Sequence, residues 1–181
     1  MLVNGQRLYV ERIDIRGNSQ TLDRVIRREF DMAEGDAFNP RKMRAAEAAL
    51  RRLRFFSNLH VRVSEGSSPE TAIIEVDVED TSTGSFNFGA TFSTDAGISA
   101  NFSITERNFL GRGQRFALSV DYGQSSQSLS FGFTEPALFD RDLSVGFDIY
   151  YRSADRDESS YQTTSIGLEP KMAFPLGGDA R

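Results

Sequence analysis

From residue 84 onward the apolar side chains recur at every second position, never at the three- and four-residue spacing of a helix. Phe86, Phe88, Ala90 and Phe92 alternate with Ser85, Asn87, Gly89 and Thr91, and Ile98, Ala100, Phe102 and Ile104 with Ser99, Asn101, Ser103 and Thr105. Phe116, Leu118, Val120 and Tyr122 then share a face, followed by Leu129, Phe131 and Phe133. Leu143, Val145, Phe147, Ile149 and Tyr151 make a fifth segment, and Ile166, Leu168, Met172 and Phe174 a sixth. Six such segments punctuated by turn residues predict an antiparallel β-meander.

A soluble β-sandwich is the plainest home for a meander, but it hydrates its outer face with ample Lys and Glu. Here the polar faces of the first two strands are Ser, Asn, Gly and Thr. Charges gather instead in connections, such as Glu106-Arg107, Asp140-Arg141-Asp142 and the stretch Ser153 to Ser159. Short turns at Ser93–Ala96 and Gly123–Gln127 alternate with these longer segments, and Phe92, Tyr122, Tyr150, Tyr151 and Tyr161 fall near strand ends. An apolar outer face, a polar interior and terminal aromatics are the pattern of a membrane barrel. No apolar run reaches the ~18 residues of a membrane helix. Mean hydropathy is −0.40, which a barrel wall tolerates because its two faces average out. At this level the sandwich and the barrel both remain open.

Residues 1–80 follow different rules. Leu8, Val10, Ile13 and Ile15 form an extended segment ending at Gly17-Asn18. Thr21 is placed to cap a helix carrying Leu22, Val25, Ile26 and Phe30 on one face, with Gly35 ending it. Asn39-Pro40 opens a second helix, whose stripe is Met43, Ala46, Leu50 and Leu53. Two strand patterns follow, Leu59–Val63 and Ala72–Val78, across the loop Glu65-Gly66-Ser67-Ser68-Pro69. The order is β-α-α-β-β, with a domain boundary near Asp80–Gly84.

Chemistry is sparse. With no Cys and one His, disulfides, thiolate metal sites and a Ser/His/Asp triad are excluded or improbable. A net charge of −5 argues against a nucleic-acid partner. Gly111-Arg112-Gly113 has no following helix to cradle a phosphate and reads as a turn. Asp155, Asp157 and Glu158 lack calcium-loop spacing and read as a solvated loop. His60 reads as a surface or rim residue. No enzyme, cofactor or metal is expected.

Thr83-Gly84-Ser85-Phe86-Asn87-Phe88-Gly89, then Asn108-Phe109-Leu110-Gly111-Arg112-Gly113 and Thr134-Glu135-Pro136, resemble the start of the barrel in the BamA family of outer-membrane β-barrel assembly factors. Upstream, Ile15-Arg16-Gly17-Asn18, Val25-Ile26-Arg27-Arg28-Glu29 and Arg52-Leu53-Arg54-Phe55-Phe56 resemble a POTRA domain. The resemblance implies an α+β POTRA domain over residues 5–80 and, over 84–181, the first six strands of an incomplete transmembrane β-barrel. Compared with the family, the chain lacks a signal peptide, earlier POTRA domains and later strands, so its N-terminus reads as internal.

Function by resemblance is the insertion and folding of β-barrel proteins into the outer membrane, with the POTRA domain in the periplasm. It implies that Ser85, Phe86, Asn87, Phe88, Gly89, Ala90 and Thr91 form the edge strand that pairs with an unfolded client. Gly84 and Gly89 would loosen that strand or relieve curvature. It also implies that Arg27 and Glu34 meet a BamD-like outer-membrane lipoprotein, although an ordinary solvated helix face would look the same. The POTRA sheet offers a further edge for an extended strand, near Ala72–Val78 or Leu59–Val63. The lipid bilayer is the remaining partner. Related alternatives are a TamA-like factor or a two-partner secretion transporter; a soluble two-domain β-sandwich binding protein is the alternative of another class.

Overall fold

The computed structural model describes residues 8–94, 97–155 and 162–175. Tyr161, Asp157, Glu158, Ala96 and residues 5–7 of the expected first domain lie outside these. The chain divides into two compact units, Met1–Ser82 and Thr83–Arg181.

In the first unit the order is β1 (Tyr9–Arg16), α1 (Asp23–Arg27), α2 (Pro40–Leu53), β2 (Phe56–Glu65) and β3 (Thr71–Asp80). The sheet order is β1-β3-β2, with β1 parallel and β2 antiparallel to β3. Along β3 every second residue, Ala72, Ile74, Val76 and Val78, is buried. That alternation supplies one floor of the core, and Ile26 and Leu50 from the helices complete it at zero exposure. Asn39 caps α2 by accepting from the Arg41 N–H at 2.9 Å, with Pro40 in the first turn as its fixed φ favours. Arg54 in the left-handed region ends this helix.

The first helix is shorter than the apolar spacing predicts. It stops at Arg27, and Phe30 reaches the core from the turn beyond it. Thr21 does not cap it. Its hydroxyl is buried and donates to Asp80 Oδ1 at 2.5 Å, while Asp80 Oδ2 accepts the Gln20 N–H at 2.7 Å. A carboxylate from the end of β3 thus organises the start of the helix, a long-range contact that local spacing does not reveal.

The second unit is one six-stranded antiparallel sheet in sequential order: β4 (Gly84–Ser93), β5 (Gly97–Phe109), β6 (Gln114–Gly123), β7 (Ser126–Glu135), β8 (Ser144–Asp155) and β9 (Gln162–Ala173). Registers run Phe88↔Phe102, Phe102↔Val120, Val120↔Leu129, Leu129↔Tyr151 and Tyr151↔Ile166, so the apolar residues of all six strands share one face. Rings touch across strands on that face, Phe86 on Phe102, Phe116 on Phe131 and Phe131 on Phe147, with centroids 5.3–5.8 Å apart. The face has no second sheet over it among the described residues, and Phe88 is 70% exposed. A sandwich requires a facing sheet; a lipid-facing wall does not. Tyr150 departs from the expected outward aromatics. It lies on the polar face, with the Arg152 guanidinium 5.1 Å from its ring centroid and its ring over Gly167.

Candidate functional site: a free strand edge and a charged hollow

β4 pairs along its length with β5 and is the first strand of the sheet, leaving its other edge without a partner strand among the described residues. Ser85, Asn87, Gly89 and Thr91 stand on the polar face, and Phe86, Phe88 and Ala90 on the apolar one. Such an edge presents alternate N–H and C=O groups, which in an apolar medium have no water to satisfy them. Its glycines accommodate side chains from β5. A Cβ at Gly89 would lie 2.3 Å from Asn101 Oδ1, and one at Gly84 would lie 2.8 Å from Glu106 Oε2.

Arg27 and Glu34 form an ion pair at 3.2 Å, and both also grip the backbone of Ile13 on β1. Arg27 donates to the Ile13 carbonyl at 2.9 Å, and the Ile13 N–H donates to Glu34 at 3.3 Å. They border an open hollow of about 830 Å³ with Phe30, Met32 and Lys42. Elsewhere along this edge, the Val10 N–H donates to the Asp36 carbonyl, and the Gly35 and Phe38 N–H groups donate to Val10 and Leu8. Backbone groups of β1 that would otherwise recruit a strand are therefore already occupied.

The segment Ala72–Val78 is the central strand and cannot accept another, which corrects one of the two expected POTRA edges. Leu59–Val63 lies on β2, an outer strand, where the Leu59 carbonyl accepts from Arg51 at 3.1 Å. Sequence alternation identifies both segments as strands but says nothing about their lateral order. Spacing also missed the clamp on Ile13, because residues 13, 27 and 34 share no short-range pattern. His60 is exposed, and among the described residues no group of three His, Cys, Asp or Glu is arranged for a metal.

A β-α-α-β-β domain feeding an amphipathic meander defines the class of POTRA-plus-barrel proteins. Family models agree: residues 8–80 match the POTRA model, described as surface antigen variable number repeat, and residues 108–181 match the Omp85 superfamily domain. The chain thus carries a POTRA repeat followed by a segment of the Omp85 superfamily domain. It is 31% identical over 172 residues to the outer membrane protein assembly factor BamA of Nitratidesulfovibrio vulgaris, covering 95% of this chain and 22% of that protein. The crystal structure of BamA from Haemophilus ducreyi lacking POTRA domains 1–3 matches with a TM-score of 0.78 at 28% identity, over 95% of this chain and 33% of that one. CdiB from Escherichia coli shares the fold alone, with a TM-score of 0.60 at 14% identity over 92% of this chain and 32% of that one. The resemblance to BamA is thus borne out over nearly the whole chain. This is an outer-membrane protein, with its strands in the bilayer and its POTRA domain in the periplasm.

Proposed function

We propose that the chain is the membrane-proximal POTRA domain and first six barrel strands of an outer-membrane protein assembly factor, inserting β-barrel clients by pairing them with the edge of β4. The chain spans about a fifth of the length of the BamA relatives it matches, so this activity is assigned to the whole protein. The free edge of β4, set in a sheet whose outer face is continuously apolar, carries the reading. Single cysteines from Phe86 to Thr91 in the full-length protein should crosslink to the terminal strand of a nascent barrel client. No crosslink from any of them would remove the templating role.

In this reading Arg27 and Glu34 contact an outer-membrane lipoprotein of the BamD type. Since each also holds Ile13, truncating either would disturb both the fold and the contact. Glu34→Gln removes the charge but keeps an oxygen that accepts the Ile13 N–H and leaves Arg27 on the Ile13 carbonyl. It should retain the folded domain yet reduce lipoprotein capture in pull-downs; undiminished capture would leave the pair with a structural role only. The CdiB likeness favours no transporter reading, since at that identity it speaks for the fold.

A further inference from the structure

The sequence motifs on either side of the first hairpin, Thr83-Gly84 and Asn108 to Gly113, meet in a place the templating reading does not use. Thr83 and Asn108 are both buried, and Glu106 sits between them. Its Oε1 accepts from the Thr83 hydroxyl in a short hydrogen bond and from the Asn108 N–H at 2.8 Å. Asn108 Oδ1 in turn accepts from the Gly113 N–H at 2.7 Å, tying in the turn between β5 and β6. The register of β5 against β6 shifts between Glu106 and Phe109, which takes Asn108 out of the regular ladder and permits its contact with Glu106. Gly84 lies opposite Glu106, and its missing Cβ leaves room for the carboxylate.

The need for such a fixture follows from the strands themselves. A one-residue slip of β4 on β5 would exchange apolar and polar faces and is strongly disfavoured. A two-residue slip keeps both faces. It would set Phe86 against Phe102 and Phe88 against Ala100 in place of the native Phe86↔Ile104 and Phe88↔Phe102. Alternation therefore leaves this register underdetermined, whereas a two-residue slip puts Ser82 in place of Gly84 opposite Glu106, where its Cβ takes the room the carboxylate uses, and moves Thr83 to the level of Thr105.

We propose that Glu106, with Thr83, Asn108 and Gly84, is a register clamp that locks β4 to β5 where the chain enters the sheet, so that the free edge of β4 offers a client one alignment. Glu106 is a positioning residue, and its effect on clients rests on the templating reading above. Within the hairpin the clamp can be read without any client. In the full-length protein in its native membrane, cysteines replacing the cross-strand partners Ser85 and Thr105 should form a disulfide, and the pair at Ser85 and Ser103 should form little. Glu106→Ala should raise the Ser85–Ser103 product relative to the native one roughly tenfold, as loss of hydrogen bonds to a charged acceptor predicts. Glu106→Gln keeps an acceptor oxygen and should restore the native preference. Thr83→Val, a milder change, should act in the same direction as Glu106→Ala and serves if that variant is not recovered. Client crosslinks from Asn87 should spread along the client strand in steps of two residues in the Ala variant. An unchanged disulfide preference in Glu106→Ala or Thr83→Val overturns the clamp. Absent client crosslinks in the parent protein strike the templating reading instead, and the disulfide ratio still decides the clamp.

Discussion

Single side chains of the POTRA domain do more structural work than their types suggest. Glu11 on β1 accepts from the Ser67 N–H at 2.6 Å, the Thr71 hydroxyl at 2.9 Å and the Ser67 hydroxyl at 3.0 Å, pinning the loop between β2 and β3. The Ser67 backbone bond foremost, then the Thr71 and Ser67 hydroxyls, hold its carboxyl below the usual glutamate value. A carboxyl with a lower pKa folded than unfolded stabilises the fold above its unfolded value and ceases to as pH falls through the folded one. Glu11→Gln should therefore weaken the domain near neutral pH and flatten the acid limb of its stability curve below about pH 4.3, measured by urea unfolding at several pH values. An acid limb identical to the parent's would contradict this. Asp80→Ala should cost about 1–3 kcal/mol, because it removes a charged acceptor of the buried Thr21 hydroxyl and of the Gln20 N–H; calorimetry of the domain checks it.

At the level of elements, legibility followed the range of the contacts. Both strand patterns after α2, the Asn39-Pro40 helix start and all six meander strands could be read from the chain, since each depends on periodicity or a neighbouring cap. The uncapped start of α1 and the central place of β3 could not. Each depends on a partner distant in sequence: Asp80 for the segment before α1, and β1 and β2 for β3. The edge strand was legible as a strand, but Glu106 and Asn101 closing over its glycines was not. Gly89→Val should accordingly do more harm than β-propensity implies, since its side chain would displace Asn101. Lower heat-resistance of the folded barrel on gels than for Gly89→Ala would show it.

For the whole molecule, the central matter is which solvent the meander was built for. The chain has fifteen Phe, no Trp and a negative mean hydropathy, and eight of those Phe, from Phe86 to Phe147, fall into the registers that make one apolar face. Ser, Asn, Thr and Gly line the other, joined by the Asp148–Lys171 ion pair. Phe88→Arg should destabilise the inserted barrel by about 2–4 kcal/mol if it sits near the bilayer midplane. Alternate-residue accessibility tests the arrangement most directly. With no native Cys in this chain, single cysteines at Phe88, Phe102 and Val120, and at Ser103, Ser119 and Ser130, can be placed in the full-length protein in its membrane. The first set should react with lipid-soluble maleimides and resist charged ones, and the second set should react with charged reagents entering through the lumen. Equal reactivity of both sets toward a charged reagent would contradict a lipid-facing wall.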